Sequence, residues 1–154
     1  MSFLPSRVII GSDHAGFELK QALLPLLAAQ NLTIEDVSPT LIPSDDYPAI
    51  ADTVSQKIAE ADGQAWGVLV CGSGIGISIA ANRHPEIRAA VVRDAEDARL
   101  ARQDNHANVL TLGGRRTSPQ ALPDILNAWL NTEPSNEERH VRRVAQLNPS
   151  HAAH

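Results

Sequence analysis

The chain has 154 residues, 43% of them apolar and 20% charged, with few aromatics and a formal net charge of −5. These are the dimensions of one soluble globular domain, 1–154, whose core must be built from Val, Ile, Leu and Ala, and the acidic balance argues against nucleic acid as a partner. A single cysteine excludes an intrachain disulfide, "MSFLPSRVII" does not read as a signal peptide, and no apolar stretch approaches a membrane span, so the expectation is a cytoplasmic protein with no membrane partner.

Five short apolar runs are the predicted strands: Val8–Gly11, Thr33–Val37, Gly67–Val70, Ala89–Val92 and Val109–Leu112. Apolar residues at consecutive positions imply burial on both faces, as in a parallel sheet covered by helices. Helical patterns fill the gaps, over Phe17–Ala29, Pro48–Ala61, Ile75–Asn82, Ala95–Arg102 and Pro119–Leu130. This alternation predicts an α/β three-layer domain with right-handed crossovers. Asp46-Tyr47-Pro48 and Ser118-Pro119 mark helix starts, with proline in the first turn and Ser118 as an N-cap.

From about 131 to 154 the pattern changes. A polar linker leads into a basic helix with Val141, Val144 and Leu147 on one face. So thin a stripe predicts a helix that packs on something else, such as another subunit. The final "PSHAAH" is expected to fray.

In an open α/β sheet, ligands bind outside the carboxyl ends of the strands. The residues that follow each run therefore carry the functional reading. After the third run stand Cys71, Gly72, Ser73, Gly74 and Gly76, leading into a helix. Glycines let a ligand approach backbone N–H groups, and a helix start adds partial positive charge, so the loop suits a phosphate or a developing oxyanion. The plain alternative is a tight strand-to-helix turn. A dinucleotide fingerprint is the rival: Asp94 lies about 20 residues on, but bulky Ile77 stands where the third small residue belongs. Cys71 is either an inert buried hydrophobe or a thiol in a setting that favours thiolate.

Asp13 and His14 follow the first run and suit substrate hydroxyls or a phosphate, against a helix cap beside a solvated histidine. Asp104, Asn105 and His106 precede the fifth run, where dense polar residues serve either capping or the ligand edge. Arg115, Arg139 and Arg143 belong to a positive cluster in an acidic chain. It is either a solvated face or a site for an anionic substrate.

"IGSDHAGFELK", "DYP", "VCGSGIGISIAANR", "NVLTLGGR" and "RHVRRV" together resemble the ribose-5-phosphate isomerase B family, which also includes galactose-6-phosphate isomerase subunits. The resemblance runs from Val8 to about Val144. It implies a Rossmann-like three-layer αβα sandwich with a five-stranded parallel sheet, in a homodimer or tetramer with the active site between subunits. The C-terminal helix then reaches onto the neighbour. It further implies aldose–ketose isomerisation of a sugar phosphate through a cis-enediolate, with no cofactor and no metal.

Residue by residue, the resemblance makes Cys71 the base and Ser73 the hydroxyl that assists transfer between substrate oxygens. Gly72, Gly74 and Gly76 supply the enediolate-binding loop, and Asn105 a further substrate contact. Asp13 holds sugar hydroxyls, His14 meets the phosphate, Tyr47 lines the pocket, and Arg115, Arg139 and Arg143 bind phosphate. Some family members use a glutamate where Ile77 stands, so this chain resembles the cysteine type. The family usually reads His-Asn-Asp where this chain has Asp104-Asn105-His106. Ring opening then falls to Asp104 or to His106, or the substrate arrives open or is another sugar phosphate such as those of allose or galactose.

Overall fold

The five apolar runs become β1 (Arg7–Ser12), β2 (Thr33–Asp36), β3 (Ala65–Cys71), β4 (Ala89–Val91) and β5 (Val109–Gly113) in the computed structural model, which describes residues 3–147. The helices are α1 (Phe17–Ala28), α2 (Tyr47–Glu60), α3 (Ile75–Ala81), α4 (Ala95–Asn105), α5 (Leu122–Asn131) and α6 (Glu138–Gln146), with a 3₁₀ turn over Pro119–Ala121 ahead of α5. The fraying expected for "PSHAAH" lies outside the described residues. Ser118 caps the 3₁₀ turn by accepting the Gln120 N–H.

All strand pairs are parallel, in the order β2-β1-β3-β5-β4. Central β3 is buried at every position because helices cover both faces. On one face, Val8, Ile10, Val68, Val70, Leu110 and Leu112 pack with apolar residues of α1, α4 and α5. On the other, Ile9, Leu69, Cys71 and Val109 pack against Ala51, Val54 and Ile58 of α2 and Ile77 and Ala81 of α3. The fold is thus the three-layer α/β sandwich expected. Among the described residues, no helix is long and apolar enough to cross a membrane.

Two buried cations complete the core. Lys20 of α1 is wholly buried; its Nζ donates to Asp36 Oδ2 at 2.5 Å and to the Ser38 carbonyl at 2.8 Å. Arg102 of α4 lies 3.7 Å over the Trp66 ring, and its Nη1 donates to the Ala107 carbonyl. Burial pulls its guanidinium down to about 10.

Candidate active site

The chain leaves β1 toward β2 on one side, while β3 is flanked on the other by β5 and β4. The carboxyl ends of β1 and β3 therefore border the crevice that such sheets use for ligands. A cleft of about 450 Å³ opens there, lined by Asp13, His14 and Ala15 after β1, Tyr47 at the start of α2, Cys71, Gly72, Ser73, Ile75 and Gly76 around the β3–α3 turn, and Arg115 after β5.

Each lining residue is held by a local device. The Asp13 N–H donates to the Val70 carbonyl at 3.2 Å, and its Oδ1 accepts the Gly16 N–H at 3.0 Å. The side chain is thus buried and fixed while it still borders the cleft. Gly74 sits at φ +79°, a left-handed conformation that side chains rarely adopt. This turn lets its N–H point back to Cys71 Sγ, 3.2 Å away. Ser73 Oγ accepts the Ile75 N–H at 3.2 Å, which leaves the hydroxyl proton free to donate.

Arg115 lies directly over Gly72: a Cβ added there would come within 2.8 Å of Nη1. Only glycine at 72 admits the guanidinium without displacing it. Tyr47 lies against Gly76 from the opposite wall. The result is a concave site lined by a cysteine, by residues with hydroxyl and carboxylate groups, and by an arginine and a histidine. Such a set suits a small polyol that carries a negative charge.

The remaining sequence-predicted residues do not line this cleft. Asp104 and Asn105 belong to the last turn of α4, which runs three residues past the predicted end at Arg102. His106 stops that helix at φ 51°, and its Nε2 lies 2.9 Å from the Ser135 carbonyl. The polar run has no apolar period to mark its boundary, and only the left-handed cap reveals it. Asp104 Oδ1 lies 3.7 Å from Nε2 of His140, a buried residue of α6. Asn105 lines a separate groove of about 390 Å³ with Arg88, Ile87 and Leu147. Arg139 pairs with Glu137 at 2.8 Å, and Arg143 is exposed on α6. The candidate residues thus fall into two groups, one around Cys71 and one along α4 and α6.

Sequence reasoning passed over Asp45. Its Oδ1 accepts the His14 backbone N–H at 2.6 Å and lies 3.2 Å from His14 Nδ1. Nothing local in "SDDYP" separates Asp45 from Asp46; the pairing spans 31 positions. His140 was also passed over, since a single histidine on a basic helix gives no sign of its neighbour on α4.

The model of the Ribose/Galactose Isomerase family matches residues 8–147. Ribose-5-phosphate isomerase B of Escherichia coli (strain K12) is 37% identical over 143 residues, which cover 92% of this chain and 93% of that protein. Among solved structures, type B ribose 5-phosphate isomerase of Trypanosoma cruzi superposes with a TM-score of 0.89 at 36% identity, covering 98% of this chain and 99% of that one. Ribose-5-phosphate isomerase B of Mycoplasma genitalium, solved with bound ribulose-5-phosphate, superposes with a TM-score of 0.88 at 31% identity, covering 96% and 97%. With the cleft at the β1–β3 crevice and a match over nearly the whole length, the chain belongs to the ribose/galactose isomerase family of enzymes.

Proposed function

We propose that this protein interconverts ribose 5-phosphate and ribulose 5-phosphate, with Cys71 as the general base. The observation that carries the reading is the cysteine: Cys71 lines the cleft, and its Sγ accepts an amide N–H from Gly74. The thiolate is the form of cysteine that acts as a base.

In the forward direction the thiolate takes the C2 proton of the open aldose. The C–H electrons form the C1–C2 double bond, and charge collects on O1. Backbone N–H groups of the Gly72–Gly76 loop stabilise that enediolate. Ser73 passes the O2 proton to O1, the carbonyl reforms at C2, and the thiol returns its proton to C1. Asp13 holds sugar hydroxyls and Tyr47 closes one wall. His14 and Arg115 take the phosphate by charge-assisted bonds.

The second group of residues completes the site from a partner copy. Asn105, Arg139 and Arg143 lie outside this chain's own cleft, while α6 exposes Val141 and the adjoining Leu147, and α3 exposes Ile75 and Ile79. Two copies that bury these faces against each other bring arginines of one to the phosphate end of the other. A reduced thiol at the centre of the mechanism fits a cytoplasmic setting.

The test is an isomerisation assay over the phosphates of ribose, allose and galactose, with the unphosphorylated sugars as controls. Ribose 5-phosphate is expected to give the highest kcat/KM, and turnover of free sugars alone would remove the phosphate role of His14 and the arginines.

A further inference from the structure

His14 does not stand free at the cleft edge. One oxygen of Asp45 receives both its backbone N–H, at 2.6 Å, and its ring, with Nδ1 at 3.2 Å. The Asp45 side chain is 15% exposed and the His14 side chain 39%. The carboxylate is thus the sheltered partner and the ring the one that meets solvent and the cleft. An ionised carboxylate only accepts, so the contact requires the proton on Nδ1. A ring held this way has one orientation, and Nε2 is the nitrogen left for a ligand.

The His14 end of this clamp is tied to the core, and the Asp45 end to a turn before α2. Ser38, where the loop to α2 begins, accepts from the buried Lys20 Nζ at its carbonyl, and its Oγ accepts the Ser12 N–H at 2.8 Å. Ser12 stands two residues before His14. Asp45 itself sits one residue before Asp46, the N-cap of α2, and its N–H donates to the Ile42 carbonyl. The carboxylate is therefore set by fixed backbone on either side.

We propose that Asp45 is a positioning residue: by accepting Nδ1–H it fixes the His14 ring so that Nε2 faces the phosphate of the substrate, to which a protonated Nε2 donates. The inference rests on the reading of the cleft as a sugar-phosphate site. Carboxylates behind a ligand-binding histidine typically matter by about 10–100-fold in affinity where they orient a metal ligand, and a phosphate contact belongs at the low end. Asp45→Ala is accordingly expected to raise KM for ribose 5-phosphate about tenfold, with kcat within about twofold. Asp45→Asn retains an acceptor oxygen and is expected to recover most of that loss. In a His14→Ala background, Asp45→Ala is expected to change KM no further, because a residue that acts through His14 has nothing left to position.

A kcat loss as large as the KM change, or a full Asp45→Ala effect in the His14→Ala background, overturns the proposal. The ¹⁵N resonances of His14 separate this from failure of the functional reading. At a pH where the ring is neutral, they are expected to report a proton on Nδ1 in the wild-type protein and a mixture of tautomers in Asp45→Ala. Resonances unchanged by Asp45→Ala overturn the positioning role. Should the wild-type protein turn over no ribose 5-phosphate while the tautomer still depends on Asp45, the substrate reading fails and the positioning role stands.

Discussion

Cys71 Sγ and the Gly74 amide are 3.2 Å apart, joined across a turn that only a left-handed residue at 74 closes. Sulfur and N–H thus form one unit. A positioned general base contributes about 10²–10⁴-fold. Cys71→Ala is expected to lower kcat by at least that range while ribose 5-phosphate still binds, as measured by turnover and calorimetry. Near-full activity would remove the thiol from the mechanism.

Gly74→Ala probes the same unit from the backbone side. At φ +79°, the new Cβ would stand 2.9 Å from the Leu112 carbonyl carbon. Left-handed strain and this contact together are expected to cost about 1–3 kcal/mol. Because the N–H shifts with the turn, kcat should fall in the fraction that remains folded, measured by active-site titration beside denaturant unfolding. A stable, fully active variant would separate the amide from catalysis.

The Lys20–Asp36 pair makes a prediction about stability. Asp36→Ala leaves a wholly buried ammonium with the Ser38 carbonyl but no counter-charge. A loss of about 3 kcal/mol is expected in denaturant melts. Adding Lys20→Met removes the orphaned charge and should restore part of the loss; a double variant as unstable as the sum of its single changes would refute the account.

At the start of α4, Asp97 accepts from the Arg93 side chain at 2.9 Å and from its backbone N–H at 3.1 Å. These contacts, the Arg93 side chain first, hold the Asp97 carboxyl below its ordinary range. Its stabilising effect is therefore complete above the unfolded value, near 4, and is lost as pH falls through the lower folded value. Asp97→Ala should lower Tm slightly at pH 7 and make little difference near pH 2. A gap that widens in acid would contradict the sign.

Ring opening divides Asp104 from His106. The His106 ring is engaged with the Ser135 carbonyl, whereas Asp104 is part-exposed beside His140. Asp104→Asn is accordingly expected to slow turnover of the cyclic substrate at least tenfold, and His106→Asn much less. The reverse order in steady-state assays would assign the step to His106.

Local pattern sufficed for a large part of this protein. Consecutive branched aliphatics mark each central strand whatever its neighbours, and Asp46-Tyr47-Pro48 and Ser118-Pro119 declare their helix starts. Once the α/β alternation was read, the rule that ligands gather at strand carboxyl ends led to Asp13, His14, Cys71, Ser73 and Arg115, all of which border one cleft.

Tertiary structure decided the rest. The order β2-β1-β3-β5-β4 sets β1 beside β3, and hence the place where Asp13 and Cys71 meet. That order depends on which strands pair across long separations, which no short-range period encodes. The same limit hid Asp45 behind His14 and His140 beside Asp104, and kept the α4–α6 residues away from the cleft of their own chain. Residue type and period specify elements and the chemistry that they carry; burial and pairing between distant segments specify which of those groups share a site.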